Sequence, residues 1–431
     1  MSKVAHQLMR LKYAATLNDA ALPEETDPEF EFQYVDIGNV DSSGHIEEPS
    51  IFTFANAPSR ARRIVKHGDV IVSTVRTYLQ AIAAIEDPPD NLIVSTGFAV
   101  VRPRADKLDA NFCKFALREP DFLHEVVSRS VGVSYPAINS SELGDIKIPL
   151  PSLVEQRAIA DFLDVETTRL DALVKAKEDL LAHIAEKRVA LIAAAVTGQI
   201  FSNDWKKQTA KLPIIGKFEA VKFRDSKVPW LGKIPAHWKT SRIATLFRER
   251  DERGEPDLPL LEVSINAGVV VREFSDEYIE ATAEDFNSYK VARAGDLAFN
   301  RMRMWQGAVG VVPVDGLVSP DYAVAAPTGD LRSDYAGLLF RDPMFSAECA
   351  RQSHGIVWDR MRIYWAEFRD IRVPVPPPDE QREIVDFVAA ETTKLGALRD
   401  ATVRTISLLK ERRSALIAAA VKGRLGAVAA I

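Results

Sequence analysis

The sequence is poor in the residues that most small-molecule chemistry relies on. Its 431 residues hold two cysteines, Cys113 and Cys349, far apart and without a nearby histidine or cysteine, so there is neither a disulfide framework nor a cysteine zinc site. Two buried, inert thiols are expected. No apolar run approaches the ~20 residues needed to span a bilayer. Met1 to Lys12 lacks the unbroken apolar stretch of a secretory signal, so a cytoplasmic location without membrane partners is expected. Cations are not in excess: 55 Lys and Arg against 61 Asp and Glu leave a net charge of -6. That excludes a chain coated in positive charge but not one with local basic faces. There is no Gly-x-x-x-x-Gly-Lys-Ser/Thr loop for a nucleotide, and the seven histidines form no metal-ligand spacing. Nothing assembles into a catalytic or metal site.

What is present is a repeat. With 47% hydrophobic and 27% charged residues the chain reads as globular, and its length predicts more than one domain. The segment from Glu155 to Gly198 recurs without a gap from Glu380 to Gly423, 225 residues later, with about half of the positions identical. Both copies open on Glu-Gln-Arg, carry Glu-Thr-Thr at Glu166 to Thr168 and Glu391 to Thr393, and close on Ala-Leu-Ile-Ala-Ala-Ala-Val-x-Gly. Apolar residues recur at spacings built from threes and fours, which marks a helix face. These are Ile159, Leu163, Leu170, Leu173, Leu180, Ile184 and Leu191 in the first copy, and Ile384, Val388, Leu395, Leu398, Leu409 and Leu416 in the second. Ser152 and Glu155 form a capping box, and Gly198 and Gly423 suit the left-handed turn that ends a helix. Glu166, Lys177, Glu391 and Thr402 interrupt the stripe and favour one register. Two matching stripes in one chain predict an antiparallel helix pair, each member reaching ~60 Å at 1.5 Å per residue.

The two stretches preceding these helices, 1–150 and 228–375, are also related. Lys66-His67-Gly68-Asp69-Val70 followed by Arg76 aligns with Arg293-Ala294-Gly295-Asp296-Leu297 followed by Arg303, and Asp145 to Pro149 aligns with Asp370 to Pro374. The Gly-Asp pairs read as turns before strands rather than as metal ligands. Short β-rich runs predict mixed helix and strand domains. The expected order is therefore domain 1–150, helix 151–199, linker 200–227, domain 228–375, helix 376–424 and tail 425–431.

This order, the Pro-x-Pro then Glu-Gln-Arg junctions, and the string Val228-Pro229-Trp230-Leu231-Gly232-Lys233-Ile234-Pro235-Ala236-His237-Trp238 resemble the specificity (S) subunits of Type I restriction-modification systems. The first half lacks such a string and begins close to Arg10-Leu11-Lys12, which corresponds to Arg242-Ile243-Ala244. The resemblance implies an α/β (α+β) fold: two similar target recognition domains separated by two long helices that pair as an antiparallel coiled coil with internal pseudo-twofold symmetry. It implies that each domain reads one half of a split site in double-stranded DNA, and that the helices set the spacer. It also implies two methyltransferase (M) subunits and restriction/translocase (R) subunits as partners, with S-adenosylmethionine, ATP and Mg held by those partners and no cofactor in this chain. Asp87-Pro88-Pro89-Asp90 begins like an adenine-methylating motif, but Asp90 cannot stack on a flipped base, so it reads as a proline turn. A coiled-coil scaffold that binds protein rather than DNA stays open as the alternative.

Base reading needs donors and acceptors that reach groove edges from loops, with Lys and Arg on phosphates. In the first domain the candidates are Arg60, Arg62, Arg63 and Lys66 as a phosphate-facing cluster, Arg76, Thr77 and Tyr78 after a strand, and Ser134, Tyr135 and Asn139 in a later loop. In the second they are Arg301, Arg303, Trp305 and Gln306, with Arg360, Arg362 and Tyr364 in the later loop.

Overall fold

The structure is a computed structural model that describes residues 6–41, 43–202, 205, 221–272, 286–355 and 361–424. The chain divides into two compact units: Met1–Asp179 with Val403–Ile431, and Leu180–Thr402. Each contains one sheet of the same kind. In the first unit the strands run in the order Ala15–Leu17, Phe98–Pro103, Val70–Ser73, Ile82–Ala84, and in the second Phe247–Arg250, Tyr322–Pro327, Leu297–Asn300, Val309–Val311, all antiparallel. Each unit also pairs an early strand with its last, Leu8–Arg10 with Lys147–Pro149 and Lys239–Arg242 with Arg372–Val375. The elements between differ. The first unit builds a second four-stranded sheet, ordered Ser50–Thr53, Glu31–Val35, Leu92–Ser95, Ala61–Ile64, where the second has two separate strand pairs. The second unit alone, among the described residues, carries a hairpin of Phe223–Asp225 and Lys233–Pro235.

The Gly-Asp turns are built alike and braced differently. Asp69 is 1% exposed and accepts from Lys66 N at 2.8 Å, and Asp296 accepts from Arg293 N at 2.9 Å, so each carboxylate closes its own turn. A buried carboxylate needs a cation as well. Arg102 supplies it at 2.7 Å in the first unit and Arg250 at 2.7 Å in the second, from different strands of the equivalent pair.

The two repeats form helices of 44 residues each, Leu153–Val196 and Pro378–Val421, about 66 Å long at 1.5 Å per residue. The expected capping box is present, with Ser152 N and Oγ donating to Glu155 Oε2 at 3.0 and 2.7 Å. Gly198 and Gly423 take φ of +77° and +70°, the left-handed turn anticipated at these ends. A Cβ on Gly198 would lie 2.5 Å from Pro235 Cδ, so close approach as well as conformation requires glycine there, whereas at Gly423 the near atoms belong to the His6 ring and the positive φ is the constraint.

Both units take part of each helix. In the first, Ile159, Leu163 and Leu170 share a core with Leu416, and Asp171–Arg413 and Glu178–Lys410 bridges show the helices running antiparallel. In the second, Ile184 and Leu191 share a core with Ile384, Val388 and Leu395. Leu180 and Leu409 pack against these cores while partly exposed. Leu173 and Leu398 depart from the expected stripe, at 44% and 47% exposed. They lie mid-helix, and neither core cluster includes them.

Domain and helix are joined in both units by the glutamine of Glu-Gln-Arg. Gln156 accepts from Asp109 N at 2.8 Å and donates to the carbonyls of Lys107 at 2.9 Å and Pro151 at 2.8 Å. Gln381 accepts from Arg332 N at 2.8 Å and donates to the carbonyls of Asp330 and Pro376, both at 2.8 Å. Both side chains are fully buried.

One equivalent pair is not matched. Glu119 and Asp342 both cap helices and are buried, but Glu119 faces Lys422 at 2.8 Å, whereas Thr197 stands where the repeat places Lys422. Burial holds the Asp342 carboxyl above the ordinary aspartate range, and its backbone bonds to Met344 and Phe345 only partly counter this. Its charge therefore costs stability at neutral pH, and that cost disappears once pH falls below the ordinary aspartate value. Asp342→Asn keeps the cap acceptor and is expected to stabilise the second unit by about 1 kcal/mol near neutral pH and not at about pH 3. Equal gains at both pH values in denaturant unfolding would assign the effect to something other than charge.

Candidate nucleic-acid interface

In the first unit the loop after Val70–Ser73 and the loop after helix Pro120–Arg129 are laced together. Arg76 N donates to Pro136 O at 2.8 Å, Ile138 N to Thr74 O at 2.9 Å, and Val131 and Ala137 exchange both backbone bonds. The Arg76 guanidinium lies 4.8 Å from the centre of the Tyr135 ring, a cation–π contact across the two loops. Arg76 and Gln80 flank a short turn, Thr77–Leu79, and both adopt left-handed backbone at φ 54° and 53°. Such a conformation costs a residue with a Cβ about 1–2 kcal/mol. The duplicate position of Gln80 is Gly307, left-handed at φ 81° without that cost. Tyr78, Ser134 and Tyr135 are exposed.

The second unit repeats the lacing. His354 and Arg362 exchange both backbone bonds, and Ile363 N donates to Arg301 O at 3.1 Å. Arg303 and Gln306 are exposed, and Tyr364 is 43% exposed.

A family model described as Type I restriction modification DNA specificity domain matches residues 56–183. The chain is 22% identical over 353 residues to the specificity subunit of the Type I restriction enzyme EcoBI of Escherichia coli, covering 76% of this chain and 68% of that one. It is 23% identical to the EcoKI specificity subunit of Escherichia coli strain K12, covering 74% and 65%. The chain thus spans about two thirds of the length of these relatives. The fold is shared with a chain from a structure on assembly and conformational transition of the type I R-M system (TM-score 0.71, 22% identity, 97% and 98% coverage). It is also shared with the HsdS subunit from Thermoanaerobacter tengcongensis (TM-score 0.55, 22% identity, 97% of each chain). The chain is thus similar to the specificity subunits of Type I restriction enzymes, in residues 56–183 by the family model and along about three quarters of its length by these relatives.

Within this specificity-subunit fold the candidates from sequence separate into groups. Arg76, Tyr78, Ser134 and Tyr135 come together on one exposed loop pair, and Arg303, Gln306 and Tyr364 lie exposed on the corresponding loops of the second unit. Thr77 is a correction: it is 3% exposed and its hydroxyl bonds Ser130 at 2.7 Å. Its duplicate Met304 is fully buried, because the first residue of this tight turn points into the domain. The cluster Arg60, Arg62, Arg63 and Lys66 is corrected as a single face. Residues Ala61–Ile64 form a strand with an irregular register between Ala61 and Arg63, and the half-buried side chains go different ways. Arg62 sits 4.5 Å above the Phe54 ring, and burial pushes the Arg63 guanidinium pKa down, leaving Arg60 and Lys66 exposed. Asn139 is used as a helix cap, accepting from Glu142 N at 2.8 Å. Arg301 donates to Pro320 O at 3.0 Å, half-buried Trp305 donates to Met302 O at 3.0 Å, and half-buried Arg362 contacts Met302 Sδ at 3.6 Å. These three brace the loops. Arg360 lies outside the described residues.

Sequence reasoning passed over Leu79 and Gln80 in the turn, and Val131 and Val133 in the neighbouring loop, which is apolar and bare. The available signal was the unusual Val-Gly-Val run at a loop position. The cysteines are as expected: burial raises both thiol pKa values and keeps Cys113 and Cys349 protonated. No helix among the described residues is long and apolar enough to cross a membrane.

Proposed function

We propose that this chain is the DNA sequence-specificity subunit of a Type I restriction-modification complex, non-catalytic itself, with recognition domains at 1–150 and 228–375. Each domain reads one half of a bipartite, asymmetric site through its laced loop pair. The long helices, pairing as a coiled coil, set the unread spacer and dock two methyltransferase subunits, with restriction/translocase subunits joining that complex in the cytoplasm. S-adenosylmethionine, ATP and Mg belong to those partners. The observation that carries this reading is the repetition of one sheet order with an equivalent exposed loop pair bearing Arg76 and Tyr78, then Arg303 and Gln306. Two half-sites on one face of B-DNA lie ~34 Å apart, a distance within the reach of helices of this length.

Co-expression with the neighbouring methyltransferase gene, followed by mapping of modified adenines across the host genome, is expected to give a split asymmetric motif that vanishes when this chain is deleted. Methylation indifferent to the chain would sink the assignment. On the mapped site, Arg76→Ala is expected to weaken binding by a factor of roughly 5–150, the range of one base-reading contact, and to relax one half-site only. A loss spread over both halves would refute the division of labour.

A further inference from the structure

The loop of residues 131–136 has a composition that a solvent-exposed tip ordinarily avoids. Val133 is 102% exposed, Val131 78% and Tyr135 61%. The loop is nonetheless held at both ends, by the paired backbone bonds of Val131 with Ala137 and by Arg76 N on Pro136 O. The Tyr135 ring is fixed under the Arg76 guanidinium. An apolar tip mounted on a braced loop is a surface for contact. It stands beside polar groups, Arg76 and Ser134, that can address guanine or adenine edges and phosphates. Among the groups that DNA presents in its major groove, the apolar one is the 5-methyl of thymine.

We propose that Val133 reads a thymine in the half-site of the first domain by packing on its 5-methyl group, making this valine a specificity-determining residue. The inference rests on the DNA-reading role proposed above. Bound to DNA, the tip loses its exposure, with Arg76 and Ser134 reading or anchoring the neighbouring positions.

The test uses the full chain assembled with its methyltransferase subunits on duplexes carrying the mapped site. Each thymine of the first half-site is replaced in turn by deoxyuridine, which removes only the methyl group. Affinity is expected to fall about four-fold to ten-fold at one position of the first half-site and to stay unchanged at its other thymines. The Val133→Ala complex is expected to bind the thymine and deoxyuridine duplexes alike at that position. Because Val133 is bare, this variant leaves the fold intact, which a thermal melt verifies. Specific, salt-sensitive binding that ignores every deoxyuridine, or a first half-site without a T·A pair, overturns the role of Val133 and leaves DNA reading standing. Absence of specific binding to any duplex overturns both.

Discussion

Replacing Gln381 with alanine is expected to lower the unfolding free energy of the second unit by about 2–4 kcal/mol, since it orphans three backbone groups at once, one of them buried. Arg332 N loses its acceptor, and the carbonyls of Asp330 and Pro376 lose their donors. Gln381→Leu fills much of the space without restoring the bonds, so a comparable loss separates hydrogen bonding from cavity formation. All six tryptophans lie between Trp205 and Trp365, inside the second unit, so denaturant titration followed by tryptophan fluorescence reads this unit selectively. A loss under about 1 kcal/mol in either variant would show that the join does not hold domain to helix. Gln156→Ala should cost the first unit a similar amount, seen by calorimetry and silent in tryptophan fluorescence.

Trp238→Ala is expected to cost the same unit about 3–5 kcal/mol, the range for emptying a large aromatic site. The residue is 1% exposed, meets Phe201 edge-on at 6.0 Å and donates from Nε1 to Glu380 Oε2 at 2.8 Å, while His237 donates to the other oxygen at 2.7 Å. Through these contacts the string Val228 to Trp238 reaches Gly198 at the end of one long helix and Glu380 at the start of the other. Trp238→Phe keeps most of the packing and loses the bond to a charged group, an expected loss of about 1.5–3 kcal/mol. Calorimetry on both variants separates the parts. An alanine variant as stable as the parent would reduce the string to surface covering.

The duplication was legible because the helix repeats are ungapped at an offset of 225 and the Gly-Asp turns recur at nearly the same offset, 227. Helix limits, caps and terminal glycines follow from local rules, and the structure obeys them. Partners distant in sequence were not legible. The two glutamines were visible as a shared motif, but Gln156 bonds residues 47 and 49 positions upstream, and no local spacing encodes that. Likewise Arg102 and Arg250 do the same work from different strands, so alignment alone does not connect them. In the loops, residue type pointed to the right neighbourhood but not to side-chain direction: Thr77 turns inward beside outward Tyr78, and strand alternation splits Arg62 from Arg63. Leu173 and Leu398 have the spacing of core residues but lie outside both core clusters.

The division of each long helix between the two units bears on how the chain is made. The unit Leu180–Thr402 is continuous in sequence, whereas the other needs residues 403–424 to complete the core around Leu163 and Phe112. On the ribosome, where domains fold as they emerge, the domain synthesised first must wait, its apolar helix face uncovered, while the later one closes. The core of the unit made first is therefore complete only once synthesis has passed Val421.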